Sequence, residues 1–304
     1  MDGIYNINKA PGMTSHDVVA RVRRLTHLKR VGHAGTLDPA ATGVLPICVG
    51  QATRVAEYLS ESGKAYRATI RFGAVTDTYD AEGTVLRTSP AALSREEIEA
   101  ALPAFLGPQM QVPPAYSAIK RGGQPVYKLA RAGEEVTMEP RPITIYALRV
   151  VAWDPPDLTL DVECGKGTYI RSLAYDLGER LGPGAHLAAL VRTRSGPFTL
   201  SQCLTLEALE AALADGRWRD YLYAPDEALL ERRAAILGPT HEASVRNGQL
   251  LQLEQIGDPP TEGELLRGYA TDGRFLGILA WDAERAGWQP HKVLLVEPVE
   301  DPPA

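Results

Sequence analysis

Residues 32 to 46 read Gly-His-Ala-Gly-Thr-Leu-Asp-Pro-Ala-Ala-Thr-Gly-Val-Leu-Pro and place one carboxylate, Asp38, in a glycine-rich loop. Because glycine lacks a Cβ atom, such a loop lets a ligand approach the backbone closely. Pro39 fixes its own φ and biases Asp38 towards extended geometry, and the apolar run at 44–49 predicts a buried strand that anchors the loop. Local chemistry leaves two interpretations open: Asp38 is a reaction centre, or Asp38-Pro39 simply initiates a turn.

The segments on either side of this loop predict strands mixed with helices. Apolar alternation or apolar runs predict strands at residues 4–8, 44–49, 64–75, 142–153 and 158–164. Capping signals and helical spacing predict a helix with Ser15 as its cap and Val18, Val22 and Leu25 on one face, and further helices around residues 52–59, 94–107 and 170–180. This pattern favours an α+β fold over repeated βαβ units.

The loop resembles the catalytic loop of the tRNA pseudouridine-55 synthases, the TruB family, bacterial enzymes that isomerise one uridine in the T-loop of tRNA. Further motifs lie in the family's order at residues 8–15, 64–66, 167–174 and 186–198. The resemblance implies a pseudouridine synthase fold for residues 1–230, with a mixed, largely antiparallel central sheet flanked by helices. The family usually has Thr at the position of Ala34, a larger apolar residue at that of Ala40, and Pro directly after Lys9, where this chain has Ala10. None of these departures removes a proposed catalytic group.

The implied reaction breaks the C1′–N1 bond of uridine and rejoins the base through C5, so it requires no cofactor and no metal. A carboxylate can act as the nucleophile at either C1′ or C6, and Asp38 is the predicted group. Arg171 follows a Gly-Lys-Gly turn near the start of a predicted helix, where the helix dipole disfavours a cation, so an anionic partner is expected. The resemblance makes Asp38 that partner, held by a bidentate guanidinium. A solvated surface arginine is the alternative.

The resemblance also implies roles for four residues around the target uridine. Tyr66 stacks on the uracil and its hydroxyl takes part in removing the C5 proton, whereas strand periodicity alone predicts a core tyrosine. His33 supports the flipped-out nucleotide, because a uridine tucked into folded RNA must be extruded to reach a carboxylate. Lys9 braces the pocket around Tyr66, and Leu190 packs against the base. A snorkelling lysine and a core leucine are the alternatives for these two.

The composition suits an ordinary globular chain, with 304 residues, 44% apolar content and a net charge of −6. The length predicts about two domains. The first residues lack a signal-peptide pattern, no stretch approaches the roughly 18 apolar residues of a membrane span, and three separated cysteines show no metal or disulfide spacing. We therefore expect a cytoplasmic protein that contacts no membrane. The resemblance implies a monomer without an obligatory protein partner.

The negative charge is concentrated in the last third of the chain, where residues 205–304 carry nine Lys and Arg against eighteen Asp and Glu. Ahead of the Asp38 loop lies a basic cluster without acids, and clustered cations favour phosphate binding. A solvated helix face is the alternative. The basic cluster consists of Arg21, Arg23, Arg24, Lys29 and Arg30. The predicted contacts to the RNA backbone are Arg21, Arg24, Lys29 and Arg30 from this cluster, Lys120, Arg121 and Lys128 from a loop-rich insertion at about 107–141, and Arg192.

Short strand-like runs predict a small all-β module over residues 231–304. The runs lie at residues 249–253, 265–270, 275–281 and 292–296. Its place after such a catalytic domain resembles that of a PUA domain, a compact barrel that usually contacts RNA. The acidic balance argues against strong phosphate binding here, although Arg246, Arg267 and Arg274 offer local contacts.

Two rival functions use the same features. A guide-RNA-directed synthase shares the Asp loop and the PUA domain but acts on RNAs chosen by a bound guide, and the compact, acidic C-terminus favours stand-alone action instead. A non-catalytic RNA-binding or RNA-folding protein could use the same cleft. A tRNA-folding role can also accompany the modification, because extruding nucleotides opens the tRNA elbow.

Overall fold

The structure is a computed structural model that describes residues 1–116, 138–254 and 258–294, and the backbone of two short strands between the first two ranges. The helices are α1 (Ser15–Thr26), α2 (Ala56–Glu61), α3 (Arg95–Ala101), α4 (Ile170–Leu181), α5 (Leu206–Ala214) and α6 (Pro239–Arg246). The strands up to the insertion are β1 (Gly3–Lys9), β2 (Val31–His33), β3 (Thr42–Val49), β4 (Lys64–Phe72), β5 (Ala74–Thr76), β6 (Val85–Thr88), β7 (Gly107–Gln111), β8 (Lys120–Arg121) and β9 (Gln124–Pro125). The later strands are β10 (Arg141–Asp154), β11 (Asp157–Cys164), β12 (Ala185–Ser195), β13 (Phe198–Thr199), β14 (Leu222–Tyr223), β15 (Ala234–Leu237), β16 (Leu265–Ala270), β17 (Phe275–Asp282) and β18 (Gly287–Val293).

The central sheet contains ten strands of the described chain, in the order β14-β1-β3-β12-β4-β11-β10-β7, with β2 beside β3 and β13 beside β12. Strands β3 and β12 run parallel, and the other pairs of this sheet are antiparallel. The predicted mixed, largely antiparallel sheet is therefore confirmed. Strand β12 was not predicted as a strand, although it lies near the middle of the sheet.

The register around β12 brings distant parts of the sequence together. Arg192 pairs with Gly43 of β3 on one side and with Tyr66 of β4 on the other. Gly43 has a φ of 99°, and a Cβ atom there would lie 2.3 Å from the carbonyl oxygen of Arg192. Only glycine fits, so the end of the Asp38 loop is built to let β3 and β12 pair closely.

Helices cover the sheet in two cores. Helices α3 and α4 pack on β4, β10, β11 and β12, whereas α1 and α5 pack on β1 and β3. Val18 and Val22 are fully buried on one face of α1, as their spacing predicted. Burial of such a side chain stabilises the fold by roughly 1.5–3 kcal/mol relative to exposure. Among the described residues, no helix is long and apolar enough to cross a membrane.

The start of α1 differs from the prediction. Thr14, not Ser15, is the N-cap, and it forms a capping box with Asp17: Thr14 Oγ1 accepts a hydrogen bond from Asp17 N at 3.1 Å, and Thr14 N donates to Asp17 Oδ2 at 2.8 Å. The side chain of Ser15 is buried and bonds to the backbone of Leu37 instead. Two adjacent hydroxyls therefore divide two tasks, capping the helix and fixing the neighbouring loop.

The C-terminal residues form a second sheet, ordered β15-β16-β17-β18 within the described part of the chain. The predicted run at 265–270 coincides with β16, and the run at 275–281 lies within β17. Residues 249–253 make only an isolated bridge, between Leu251 and Trp288, and β18 begins before the run predicted at 292. The prediction of an all-β unit was wrong because it missed α6, which packs beside β15, β17 and β18.

This second sheet packs against the helix α2 side of the first unit. Phe275 and Ile278 share a core with Val55 and Leu59. At its edge, Lys292 Nζ donates a hydrogen bond of 2.9 Å to Arg54 O. The same ammonium lies 2.5 Å from the carboxylate of Glu57. The two units are therefore held together by a buried apolar interface with polar contacts of Lys292 at its edge.

Candidate active site

Five of the residues predicted for the site line one cavity of about 270 Å³: Asp38, Tyr66, Arg171, Leu190 and Arg192. The cavity lies between the Asp38 loop, strands β4 and β12, and the turn at residues 165–169 that leads into α4. The side chain of Asp38 is 46% exposed. A carboxylate that reaches a cavity from a supported loop is suited to attack a bound substrate.

The backbone on both sides of Asp38 is fixed by the opening segment of the chain. Ser15 Oγ donates a hydrogen bond to Leu37 O at 3.1 Å and accepts one from Leu37 N at 2.9 Å. Lys9 Nζ donates to Pro39 O at 2.9 Å. Since Leu37 and Pro39 are the two chain neighbours of Asp38, these bonds fix the backbone from which its carboxylate projects.

Lys9 supports the loop from behind and does not line the cavity. It is fully buried, and its ammonium donates to Ala10 O at 3.0 Å and Met13 O at 2.7 Å as well as to Pro39 O. Burial lowers the pKa of Lys9 to about 8, and the nearby charge of Asp38 opposes this effect. Lys9 therefore braces the Asp38 loop, and its predicted bracing of the pocket around Tyr66 stays a prediction.

Arg192 corrects one prediction. Its side chain was expected to contact the RNA backbone, but Arg192 is 1% exposed. Its guanidinium donates to Val44 O at 2.6 Å, Gly35 O at 3.0 Å and Thr36 O at 3.3 Å. A buried cation whose donors point to three carbonyls of the Asp38 loop cannot neutralise a phosphate, so Arg192 is a structural support.

Arg171 forms the predicted ion pair with Asp38. Its Nε lies 3.1 Å from Asp38 Oδ2, although without hydrogen-bond geometry. The contact is not bidentate, because Nη1 lies 3.3 Å from both Asp80 Oδ2 and Thr78 O, and Nη2 donates to Tyr116 O at 3.0 Å. The side chain of Arg171 is only 7% exposed. Sequence reasoning missed Asp80, since an acid within a polar turn carries no distinctive signal.

The first turn of α4 is docked on the end of β7, which fixes where Arg171 emerges. Gln111 Oε1 accepts from Tyr169 N at 2.8 Å, and Gln111 Nε2 donates to Tyr169 O at 3.0 Å. Ser172 Oγ donates to Val112 O at 2.7 Å. The insertion that begins at β7 is thus tied to the same helix turn that carries Arg171.

Tyr66 and Leu190 form the apolar side of the cavity. Burial raises the pKa of Tyr66, and the neighbouring Arg192 opposes this in part. The hydroxyl therefore keeps its proton at neutral pH, which suits hydrogen-bond donation and stacking better than proton removal. Leu190 is half-buried and packs against both helical cores.

His33 lies at the end of β2 and is not among the residues that line the cavity. Its ring centroid is 5.5 Å from that of His16, a residue that sequence reasoning did not select. Burial lowers the pKa of His33, and His16 and Arg192 lower it further, so the ring is neutral at neutral pH. In the described part of the chain, no three His, Cys, Asp or Glu side chains group in a way that could bind a metal ion.

The remaining RNA-backbone candidates lie on the surface or outside the described side chains. Arg24, Lys29 and Arg30 are exposed. Arg21 is ion-paired with Glu210 of α5, so part of its charge is already neutralised. The side chains outside the described residues are those of Lys120, Arg121 and Lys128.

Comparison with known proteins identifies the family to which this chain belongs. Residues 23–170 match the model of the TruB family pseudouridylate synthase N-terminal domain, and residues 171–231 match that of the tRNA pseudouridylate synthase B C-terminal domain. The tRNA pseudouridine synthase B of Dehalococcoides mccartyi is 44% identical over 296 residues, which cover 97% of each chain. That of Heliobacterium modesticaldum is 46% identical over 271 residues, 88% of this chain and 87% of the relative. The chain belongs to the TruB family of pseudouridine synthases.

Solved structures agree with the TruB assignment. A chain from an H/ACA RNP bound to a substrate RNA containing 2′-deoxyuridine aligns with a TM-score of 0.75 and 25% identity, covering 97% of this chain and 85% of that one. A chain from a Cbf5-Nop10-Gar1 complex aligns with a TM-score of 0.73 and 28% identity, covering 91% and 78%. The TruB chain therefore has the pseudouridine synthase fold.

Proposed function

We propose that this TruB family protein isomerises uridine-55 in the T-loop of tRNA to pseudouridine, acting as a single protein without a guide RNA. One observation carries the proposal. A half-exposed carboxylate, Asp38, enters a cavity of about 270 Å³ beside the buried guanidinium of Arg171. The relatives of 44–46% identity that are named for this enzyme activity support tRNA as the substrate.

The proposed chemistry starts with the extrusion of the uridine, because a stacked nucleotide cannot present C1′ or C6 to a carboxylate inside a cavity. Asp38 either displaces the base from C1′, which breaks the C1′–N1 bond, or adds to C6 before that bond breaks. The base turns, a bond forms between C5 and C1′ and the bond to Asp38 breaks. C5 then loses its proton to an acceptor and N1 takes one up, so the product has the same atoms as the substrate. The charge of Arg171 attracts the carboxylate of Asp38 and holds it beside the cavity.

The apolar side of the cavity, formed by Tyr66 and Leu190, is suited to bind the uracil base. Tyr66 offers a ring on which the uracil stacks, and Leu190 packs against its edge. In this proposal His33 acts outside the cavity, next to His16, where a neutral ring can fill the space that the extruded nucleotide leaves. Extrusion costs a few kcal/mol, which these contacts and the phosphate contacts of the basic cluster offset.

The two units take different parts in the proposal. Residues 1–230 form the catalytic domain, and the insertion at about 107–141 grips the T-arm. Residues 231–304 form a PUA-like domain that contacts RNA locally through arginines, since its acidic balance disfavours broad phosphate binding. We further propose that the protein works as a monomer in the cytoplasm.

The guide-directed alternative is less well supported. The aligned chains from the H/ACA RNP and the Cbf5-Nop10-Gar1 complex share 25–28% identity with this chain, compared with 44–46% for the relatives named as tRNA enzymes. We therefore expect full activity without added RNA or protein.

The deciding experiment incubates unmodified tRNA transcript with the purified protein alone and maps pseudouridine along the T-arm. We expect one product, at position 55, and none with Asp38→Asn although that variant binds the transcript. A transcript with cytidine at position 55 is the matched substrate control. Product only after addition of a guide RNA, or wild-type turnover by Asp38→Asn, would refute the proposal.

A further inference from the structure

The loop at residues 76–84 contacts helix α4 at two points one turn apart. Arg171 and Tyr175 stand four residues apart, so their side chains share a face of the helix. Thr78 O and Asp80 Oδ2 both lie 3.3 Å from Nη1 of Arg171. Tyr79 lies between Thr78 and Asp80 in the sequence, and its ring stacks on that of Tyr175, with centroids 4.1 Å apart and planes inclined by 18°. Three consecutive residues of the loop therefore grip one face of α4.

Tyr79 adopts an unfavourable backbone conformation to make this contact. Its φ is 62°, in the left-handed region that a bulky residue rarely occupies. The backbone is held there by neighbours, because Tyr79 N donates to Thr76 O at 3.3 Å and Tyr79 O accepts from Leu187 N at 2.9 Å. Tyr79 is a strained residue that its surroundings fix in place, and it lies in the loop that contacts Arg171. Strain at such a position indicates that the loop must keep one conformation to position its neighbours.

The orientation of Asp80 depends on the same loop. Its Oδ1 accepts hydrogen bonds from Thr78 Oγ1 at 2.6 Å and from Glu82 N at 3.1 Å. This leaves Oδ2 directed at Arg171. Since the carboxylate is locked within the loop, the position of the loop on α4 decides where the carboxylate meets the guanidinium.

Arg171 in turn relies on these contacts for its position. Its approach to Asp38 lacks hydrogen-bond geometry, so that contact alone does not fix the guanidinium. Two of its other three contacts come from Thr78 and Asp80, and the third is with Tyr116 O. A shift of the loop therefore shifts the cation beside the proposed nucleophile.

We propose that the Tyr79–Tyr175 stack is a positioning device for the reaction. It clamps the strained loop on α4 so that Asp80 and Thr78 hold Arg171 in line with Asp38. Neither ring lines the cavity, so we infer that both act on the reaction through Arg171. This inference rests on the proposed function, because it assigns the clamp to the isomerisation at Asp38.

The test compares three variants in single-turnover pseudouridine formation on saturating T-arm RNA and in T-arm RNA binding. Tyr79→Asn removes the ring but retains a residue that tolerates the left-handed conformation, and Tyr175→Leu removes the partner ring. We expect both to slow the chemical step by about tenfold to a hundredfold with little change in the RNA dissociation constant, because a small misplacement of a catalytic group has effects of that size. Tyr79→Phe retains the stack and should restore the wild-type rate.

Tyr223→Asn is the matched control for general loss of stability. Its ring packs edge-to-face on Phe198, with centroids 5.1 Å apart, and β14 lies beside the end of β1 farthest from Lys9. It should lower the melting temperature and leave the single-turnover rate unchanged. If Tyr79→Asn does not fold, Tyr175→Leu gives the same test from the other side of the stack.

Wild-type single-turnover rates for both Tyr79→Asn and Tyr175→Leu would overturn the inference. So would a loss that appears only in RNA binding, or a Tyr79→Phe variant as slow as Tyr79→Asn. These outcomes are distinct from failure of the proposed function, which would show as no pseudouridine from the wild-type protein or as an active Asp38→Asn variant.

Discussion

The hydroxyl of Ser15 and the backbone of Leu37 exchange two hydrogen bonds, one in each direction, at 3.1 Å and 2.9 Å. Ser15 is 2% exposed and Leu37 is 4% exposed, so water cannot replace these bonds. The two residues are 22 positions apart in sequence. This pair joins the start of α1 to the residue immediately before Asp38, and it makes the position of the carboxylate depend on the first helix.

Ser15→Ala should therefore damage both stability and turnover. It leaves the N–H and C=O of Leu37 buried without these partners, which costs about 1–3 kcal/mol per unsatisfied group. Because Asp38 is then free to shift, we expect the rate of pseudouridine formation to fall by about tenfold or more. Urea unfolding and single-turnover kinetics measure the two effects.

Thr14→Ala is the matched control for that prediction. It removes the N-cap hydroxyl of the same helix, at a cost of about 1 kcal/mol, but leaves the bonds to Leu37 in place. We expect a smaller loss of stability, about 1 kcal/mol, with near wild-type turnover. Equal rates for the two variants would mean that the Ser15 contact does not position Asp38.

Asp80→Asn tests the second contact of Arg171 with an acid. The amide has nearly the same shape as the carboxylate but lacks the charge that attracts the buried guanidinium. We expect at least about a tenfold slower chemical step with T-arm binding retained. Rate and RNA affinity are measured on the same preparation.

Asp157→Asn provides the comparison for Asp80→Asn. Asp157 forms a bidentate pair with Arg71, with both contacts at 2.7 Å, on the solvent side of β11. Exposed pairs contribute little, about 0–1 kcal/mol, so stability and rate should stay close to wild type. A comparable slowing in both variants would show that the loss reflects general electrostatics.

The sequence predicted those parts of the fold that depend on local pattern. Val18 and Val22 are spaced for one helix face and are buried on it, and the alternation in β4 and β11 is confirmed. Strand β12 was missed because its apolar and polar residues do not alternate regularly, so its assignment depends on pairing with β3 and β4. Long-range pairing of this kind leaves no mark in a local window.

The candidate site likewise contains features that the sequence predicted and features that depend on long-range contacts. The pairing of Arg171 with Asp38 could be predicted from an arginine at a helix start together with the family resemblance. The burial of Arg192 could not, because its guanidinium is satisfied by backbone carbonyls that fold together only in three dimensions. Asp80 was missed for a related reason: its role depends on a loop that packs on a helix about ninety residues later.

The basic cluster should contribute salt-dependent RNA affinity. The triple variant Arg24→Gln, Lys29→Gln, Arg30→Gln removes exposed charges beside the Asp38 loop. Each lost phosphate contact should reduce the slope of log affinity against log salt by about one. Filter binding of T-arm RNA across a salt series measures the slope.

Arg95→Gln is the control for this surface. Arg95 is an exposed arginine on α3, paired with Glu99, away from the Asp38 loop. It should leave the slope unchanged. An unchanged slope in the triple variant as well would exclude Arg24, Lys29 and Arg30 from phosphate binding and leave them as solvated surface charges.

The lowered pKa of Lys9 leads us to predict that stability and activity change in opposite directions with pH. Burial lowers its pKa to about 8 in the folded protein, whereas an unfolded chain has the ordinary value of 10.5. Between these two values unfolding takes up a proton, so the free energy of unfolding of the wild type, relative to Lys9→Met, should rise with pH across this window and level off outside it. Urea unfolding at several pH values measures the difference. Lys64, whose pKa burial also lowers to about 8, is present in both proteins and cancels.

Activity should move the other way, because the ammonium of Lys9 has three donors for three carbonyls and the neutral amine has two. Above about pH 8 one of the carbonyls of Ala10, Met13 and Pro39 loses its partner, and the bond to Pro39 O is the one that fixes the residue after Asp38. The single-turnover rate of the wild type should therefore decline above that pH, whereas Lys9→Met should be slower throughout and lack this decline. A relative stability that falls with pH over the same window would mean that the folded protein retains the proton of Lys9, and a decline in rate shared by Lys9→Met would assign it to another group.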